Sequence, residues 1–459
     1  MKKAILFSFI TVLLVSGCTD YSYDNFSFPE QEEGSLIKTG DLRTGSDYRN
    51  MPPVREETLE TFASSDRVCV IDKKADYLDV YLNVKKSGHY RAGEAYCEAL
   101  MKVMPDFSER MDQFIFDELS ASYNNNDYTD FSDAEERITA YEKTLDEKYL
   151  QELKGFCNGI GDAASGIVND GKLSYEELIA LSIADDLIFR WQTGSTLAVC
   201  GEKSATGYPL TVTTFDRIGN DLAQLSGFCT VLHIIDGDDE IIMPTLAGSF
   251  SSETMFSSRG LSAAMHQHIM GRNSLSADEA EHSLVFAMRK AMANNNNAED
   301  AAKEIAETES SETANIILTD REGCVSVGVH HGNNNIRHMD TELFEGIEWA
   351  HPDCMCISDS DIIKDTENSH MISFHTLAGI IKYNLFLDEY EKLTADDMRS
   401  LITSDKVDND NSFSGLRNLY NRELIVFDSS NGSITAAFTG EEGVVDIPDF
   451  LEIGDVYDE

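Results

Sequence analysis

A serine and an aspartate near the middle of the chain have the residue types and the spacing of a small nucleophilic site. The segment 193–200 reads TGSTLAVC, and a second apolar run that follows it ends at Asp216. We predict that a helix ends before Gly194, that Ser195 opens a strand, and that Asp216 closes the second strand of a hairpin. Serine is a nucleophile when a neighbouring base activates it. Gly-Ser-Thr alone is common in loops, and Asp216 could equally be a turn carboxylate, so the prediction depends on position.

Cysteines and histidines elsewhere in the chain offer weak metal-binding patterns. Cys354 and Cys356 are separated by one residue, and His351 is nearby. A structural zinc site of this kind has a second matching pair, which is missing here. We therefore expect ordinary packing and no metal site. The same expectation holds for two histidine pairs, His266 with His268 and His330 with His331.

The first folded part of the chain has helical patterns, and hairpin patterns follow it. These elements must position the candidate residues. Apolar residues recur at helical spacing over 89–104 and 134–153. Ser174 and Glu177 predict a capping box for a helix that runs to about Phe189. Ser276 with Glu279 and Thr394 with Asp397 predict the N-terminal caps of two more helices. A further helix is predicted over 298–308. Hairpins are predicted at 196–215, 229–246, 315–329 and 424–438. Hairpins separated by helix pairs favour two stacked sheets with helices outside.

Several short phrases occur in the order of a known family. The phrases are Gly93 to Tyr96, Gly155 to Asp162, Leu173 to Leu178, the 193–216 segment, Gly260-Leu261, Ala314 to Asp320, and Val426 to Asp428 with Gly432 and Ala436 to Phe438. With these phrases the chain resembles, from about residue 85 to 440, the acyl-coenzyme A:isopenicillin N acyltransferase-like family. Its members are autoproteolytic relatives of choloylglycine hydrolases and acid ceramidase in the N-terminal-nucleophile superfamily.

The resemblance implies an α+β fold, a four-layer αββα sandwich of two antiparallel sheets. A helical segment, 54–194, would become the small chain after cleavage, and 195–459 would be the large chain with the catalytic site. The implied cleavage lies between Gly194 and Ser195. The side chain of Ser195 attacks the Gly194 carbonyl, which lacks a shielding side chain, and the resulting ester is hydrolysed. Ser195 then starts a new chain whose α-amine, with an ordinary pKa of about 8, can serve as its base.

By the same resemblance, Asp216 would orient that amine and Gln267 would donate to the oxyanion. The chain departs from the family at several positions. Ser195 stands where the family usually has cysteine, and the family's Arg-Asn-x-Asp phrase is here Thr213-Thr214-Phe215-Asp216, so the substrate-facing arginine is missing. The family's later Thr-Asn pair corresponds to Ser358-Asp359, whose carboxylate would repel an oxyanion. A second arginine has no counterpart, and His370 or His375 could stand in for it.

These features predict a self-activated hydrolase or acyltransferase that acts on a linear amide of a small N-acyl substrate. No metal or organic cofactor is required, because the nucleophile supplies its own base. A rival nucleophile, Cys200, lacks a preceding glycine and lies too close to Asp216. The alternative function is a catalytically degenerate, non-cleaving family member that binds an acylated small molecule.

The N-terminus predicts export and lipid attachment. Lys2 and Lys3 precede an apolar run that ends at Val15-Ser16-Gly17-Cys18. This pattern resembles a bacterial lipobox, so 1–17 is interpreted as a signal peptide and Cys18 as the lipidated residue of the mature protein. Segment 18–53 is rich in polar residues and is interpreted as a flexible tether. The predicted location is the cell envelope, with the chain held to a membrane by the lipid on Cys18.

The charge of the chain argues against nucleic acid as a partner. The sequence has 82 acidic and 36 basic side chains, a formal net charge of −46. Such a negative field repels phosphate backbones and anionic lipid headgroups. It keeps the chain soluble and identifies no substrate.

Overall fold

The strands of the chain form two sheets of very different size. The computed structural model describes residues 53–123, 131–161, 165–187, 193–216, 222–268, 282–310, 312–330, 333–364, 366, 372–403, 421–440 and 450–456. The strands in this part are β1 Glu60–Ala63, β2 Cys69–Lys73, β3 Leu78–Asn83, β4 Thr193–Val199, β5 Leu210–Asp216, β6 Cys229–Asp236, β7 Asp239–Leu246, β8 Thr254–Ser257, β9 Leu261–Gln267, β10 Thr313–Thr319, β11 Cys324–His330, β12 Asn335–Arg337, β13 Cys354–Ile357, β14 Asn421–Asp428, β15 Ser433–Phe438 and β16 Leu451–Asp455.

Among the described residues, the helices of eight residues or more fall into two groups. They are α1 His89–Val103, α2 Phe107–Tyr123, α3 Ser132–Glu142, α4 Glu147–Ile160, α5 Tyr175–Ser182, α6 Leu284–Asn294, α7 Ala298–Ala306, α8 Phe374–Glu389 and α9 Ala395–Thr403. Helices α1 to α7 contribute to the core that covers one sheet, whereas α8 and α9 cover the other.

The larger sheet has the order β1-β2-β3-β6-β7-β8-β9-β10-β11-β12 and the smaller sheet the order β13-β4-β5-β14-β15-β16. Neighbouring strands run antiparallel, except that β3 pairs with β6 in parallel. The hairpin turn at Gly237-Asp238 and the two hairpins β10–β11 and β14–β15 confirm the sequence predictions.

Three separate cores define the layers. Phe215, Val231 and Phe427 belong to the core between the two sheets. Leu197 and Val212 point to the opposite face of the smaller sheet and pack against α8 and α9. A third core joins the outer face of the larger sheet to α1–α7. The order is therefore helix, sheet, sheet, helix, and the predicted four-layer αββα sandwich is confirmed.

Two predictions about the N-terminal segment were incomplete. We expected 54–194 to be helical, but β1, β2 and β3 lie in it and extend the larger sheet. The pattern 134–153 is two helices, α3 and α4, because the chain turns between Glu142 and Glu147. The capping box of Ser174 and Glu177 is present at the start of α5.

Some predictions fall outside the described residues. They include the signal peptide, Cys18, the tether up to residue 52, the Ser276–Glu279 cap, His331 and His370. Helix α6 is instead capped by Ser283. Across the part of the chain that is described, no helix has both the length and the apolar character needed to cross a bilayer.

Candidate active site

Ser195 lies inside a continuous strand rather than in a loop. It is the third residue of β4 and pairs with Thr214 of β5. Because side chains alternate along a strand and Leu197 faces α8 and α9, Ser195 also faces that helix layer. The Ser195 backbone N–H donates to Thr214 Oγ1 at 3.2 Å. Ser195 is 2% exposed, so the reactivity of its hydroxyl depends on the buried groups around it.

The residue before Ser195 has a backbone that favours glycine. Gly194 has φ +136°, and a Cβ at this position would clash with the backbone carbonyl oxygen of Thr214. Glycine populates positive φ without the steric cost that other residues incur. The peptide bond between Gly194 and Ser195 therefore carries a local constraint that the rest of β4 does not have.

The Ser195 hydroxyl has one strong partner. Its Oγ lies 2.6 Å from the phenolic oxygen of Tyr383, in the middle of α8. Burial raises the pKa of Tyr383 well above its ordinary value, so the phenol stays neutral. Tyr383 can orient the Ser195 hydroxyl, but a neutral phenol is a poor proton acceptor.

The carbonyl group of Gly194 is held by a second hydroxyl. Ser358 Oγ donates to the Gly194 oxygen at 2.8 Å and lies 3.2 Å from Nδ1 of His375. The neighbouring carboxylate of Asp359 accepts hydrogen bonds from Ser373 and Thr376, each at 2.6 Å. We had expected Asp359 to repel an oxyanion, but these bonds occupy one of its oxygens at the start of α8.

Asp216 lies on the same face of the smaller sheet as Ser195. It ends β5, as predicted, and pairs with Thr193, two positions along β4 from Ser195. Asn421 donates a hydrogen bond to its Oδ1, and Nε2 of His375 lies 3.7 Å from its Oδ2. The structure therefore brings Ser195, Asp216 and His375 into one cluster between the smaller sheet and α8.

Gln267 is not brought to Ser195. Met265 belongs to the core on the outer face of the larger sheet, and Gln267, two residues later, lies on that same face. Its neighbour His266 points the other way, and its Nε2 lies 2.8 Å from Thr196 Oγ1. Burial, with a smaller contribution from His375, lowers the pKa of His266 to about 3, so its imidazole is neutral.

A small cavity adjoins Ser195. It measures ≈ 10 Å³ and is lined in part by Ser195, Ser358, Thr376 and Tyr383. This is about the room that one water molecule needs, and far less than an acylated small molecule needs. A substrate cannot reach Ser195 while the chain has this conformation.

The two cysteines of the weak metal pattern are buried. Cys354 and Cys356 lie on the buried strand β13, and burial raises the pKa of the Cys356 thiol to about 11. Within the described ranges no group of three or more metal-ligating side chains is arranged to hold an ion.

Sequence reasoning named some of these residues and missed others. Ser195 and Asp216 were named as site residues, Ser358 only as the counterpart of a family residue, and His375 only as one of two stand-ins for an arginine. Tyr383 was missed because its partner Ser195 lies 188 positions away, and no local spacing pattern reports such a contact.

Comparisons with known proteins give distant likenesses. No protein-family model and no curated protein matches the chain. Among solved structures, a Caenorhabditis elegans N-acylethanolamine-hydrolyzing acid amidase ortholog is 11% identical, with TM-score 0.37, over 56% of this chain and 96% of that chain. Penicillin V acylase from Agrobacterium tumefaciens is 10% identical, with TM-score 0.35, over 53% and 82%. A mutant conjugated bile acid hydrolase from Clostridium perfringens is 9% identical, with TM-score 0.31, over 53% and 89%.

Proposed function

We propose that this protein is a self-cleaving hydrolase or acyltransferase of the N-terminal-nucleophile class, with Ser195 as its nucleophile and a linear N-acyl amide as its substrate. The observation that carries the proposal is the environment of the Gly194–Ser195 bond. The glycine has a positive φ, its carbonyl oxygen accepts a hydroxyl donor, and the Ser195 hydroxyl is held by Tyr383.

The proposed self-cleavage needs no reactant other than the chain itself and one water molecule. Ser195 Oγ forms a bond to the Gly194 carbonyl carbon, the bond from that carbon to the Ser195 nitrogen breaks, and the hydroxyl proton passes to the nitrogen. Water then hydrolyses the ester, which leaves a carboxylate on Gly194 and restores the Ser195 hydroxyl. Ser195 now begins a chain, and its α-amine can act as the base for the next acyl transfer.

Burial of Ser195 fits a precursor. The intact strand seals the hydroxyl, and the adjoining cavity has room for about one water molecule. Cleavage would free the Gly194 carboxyl end to leave β4, which opens space beside Ser195. Asp216, whose side chain lies on the same face, would then hold the new ammonium or amine group.

Fragment masses test the proposal. The chain is synthesised in a cell-free system without membranes, and its products are measured by denaturing gel and mass spectrometry. We expect two fragments, of which the larger begins at Ser195, and an intact chain for Ser195→Ala. A wild-type chain that stays whole after folding, with Ser195 inert to acylating probes, would contradict the proposal.

The second candidate function is a non-cleaving protein that binds an acylated small molecule. The observation in its favour is the unbroken register of β4 with β5 around a nearly inaccessible Ser195. It predicts that the Ser195→Ala chain and the wild-type chain both stay uncut and bind N-acyl compounds equally. Equilibrium binding of a fluorescent N-acyl amide to both chains separates the two functions.

We further propose that the mature protein is attached to a membrane of the cell envelope by a lipid on Cys18. The support is the segment Val15 to Cys18 after an apolar run that is too short to span a bilayer. Metabolic labelling with radioactive palmitate should label the wild type and not Cys18→Ser. Equal labelling of both chains would contradict the attachment site.

A further inference from the structure

A hydroxyl donor is already in place at the carbonyl oxygen of Gly194. Ser358 follows β13, which pairs with β4, so the donor is fixed to the strand that contains the proposed cleavage site. We propose that Ser358 is the oxyanion donor of self-cleavage and that His375 is the positioning residue that aims it. This inference rests on the self-cleavage proposed above and assigns residues to its first step.

The first step places negative charge on the atom that Ser358 touches. When Ser195 Oγ bonds to the Gly194 carbon, the carbonyl oxygen becomes an alkoxide until the bond to the Ser195 nitrogen breaks. The Ser358 hydroxyl lies 2.8 Å from that oxygen and is 6% exposed as a residue. A donor fixed in a dry site before the charge develops stabilises the transition state, and its removal commonly slows a reaction about 100- to 1,000-fold.

Hydrogen-bond accounting gives His375 its role. A serine hydroxyl has a single hydrogen, and in this geometry Ser358 donates it to the Gly194 oxygen. The bond between Ser358 Oγ and His375 Nδ1, at 3.2 Å, then needs its hydrogen on Nδ1. His375 therefore donates to Ser358 and directs the remaining hydroxyl hydrogen at Gly194.

The imidazole of His375 lies between two carboxylates. Its Nε2 lies 3.7 Å from Asp216, and its Nδ1 lies 4.0 Å from the free oxygen of Asp359. His375 sits in the first turn of α8, which Ser373 caps by accepting from the Thr376 backbone N–H. Asp359 ties that cap to the segment after β13. These distances are too long for hydrogen bonds, so the bond to Ser358 is the one that sets the orientation of the ring.

The test follows the rate of self-cleavage in the cell-free system for the full chain and matched variants. Ser358→Ala removes the donor, whereas Ser358→Thr keeps a hydroxyl. Ser360→Ala is the control, because that hydroxyl contacts Asp359 and the Ser373 backbone instead of Gly194. His375→Asn keeps an N–H donor near the Nδ1 position, and His375→Gln places its amide near the Nε2 position. Circular dichroism reports whether each chain folds.

We expect Ser358→Ala to cleave about 100-fold more slowly than the wild type and Ser358→Thr, which keeps the hydroxyl, to recover most of that loss. Ser360→Ala should stay near the wild-type rate, and His375→Asn should cleave faster than His375→Gln. A folded Ser358→Ala chain that cleaves at the wild-type rate overturns this inference alone and leaves Ser195 in its role. If Ser358→Ala does not fold, equal rates for the two His375 variants overturn it. A wild-type chain that never cleaves overturns both proposals.

Discussion

The hydroxyl of Ser195 and the phenol of Tyr383 lie 2.6 Å apart, although 188 positions separate them in the sequence. The contact joins strand β4, at the proposed cleavage site, to the middle of α8. It ties the nucleophile to a helix layer that forms only when the chain has folded. Self-cleavage would therefore follow folding rather than precede it.

Tyr383→Phe tests this contact. The phenylalanine ring keeps the packing and loses the hydrogen bond, which contributes about 0.5–1.5 kcal/mol when both partners are neutral. We expect self-cleavage to slow by up to about ten-fold, since the Ser195 hydroxyl becomes free to turn away from the Gly194 carbonyl. The measurement is the appearance of the two fragments over time.

Tyr175→Phe is the matched control, because its phenol contacts Glu142 on the other helix layer. It should cleave at the wild-type rate. Faster cleavage by Tyr383→Phe than by the wild type would mean that the phenol restrains Ser195 instead of preparing it.

Gly194→Ala should damage both the fold and the cleavage. Positive φ and a clash with the Thr214 carbonyl oxygen both oppose an alanine here, and we expect a loss of roughly 2–4 kcal/mol in the free energy of unfolding. Gly207 also has a positive φ, but open space surrounds it. Gly207→Ala should therefore lower the free energy of unfolding by about 1 kcal/mol. Urea unfolding measures both. Equal losses would show that the strand relaxes around Gly194.

The two fragments should remain together after cleavage. Arg289 of α6 forms two hydrogen bonds with Glu152 of α4, at 2.6 and 2.9 Å, and both side chains are buried. The pair joins the segment before Gly194 to the segment after Ser195, and β3 and β6 pair across the same boundary. Size-exclusion chromatography in native buffer should give one species that contains both fragments.

Arg289→Leu should weaken this assembly by up to about 3–5 kcal/mol, because it leaves the buried Glu152 carboxylate with His89, at 2.8 Å, as its remaining partner. The double variant Glu152→Leu, Arg289→Leu removes both charges and should recover most of the loss. A single variant as stable as the wild type would mean that water reaches Glu152.

The sequence predicted the strands and helices better than it predicted which face of a strand each site residue lies on. The β4–β5 hairpin follows from its apolar runs, and these placed Ser195 and Asp216 on neighbouring strands. Gln267 was assigned to the site by alignment, but in a strand an error of one residue turns a side chain to the other face. Its neighbour His266 is the residue that faces the smaller sheet.

The strands β2 and β3 were missed for a local reason. Asp72, Lys73 and Asp79 interrupt their apolar runs, which weakens the strand pattern. A tertiary contact pairs one of these charges: Asp79 lies 3.1 Å from Nε2 of His233 on β6. The sequence pattern of one strand does not predict which side chain of another strand will contact it.

That contact predicts how stability depends on pH. His233 lies between Asp79 and Glu240, at 3.1 and 2.7 Å. Burial alone would lower its pKa, but the hydrogen bonds to both carboxylates outweigh burial and raise the pKa of His233 to about 9. The folded state thus keeps a proton that the unfolded state, with an ordinary pKa of about 6.5, has lost.

The stabilisation from His233 should be complete below about pH 6.5 and should disappear as the pH rises through about 9. The loss is on the order of 3 kcal/mol in the free energy of unfolding. Urea unfolding of the wild type and His233→Gln between about pH 6 and pH 10 measures it, because glutamine cannot titrate. The difference between the two chains should shrink across this interval. His338→Gln, at a half-exposed histidine, should follow the wild type throughout, and a constant difference for His233→Gln would mean that His233 is uncharged in the folded protein.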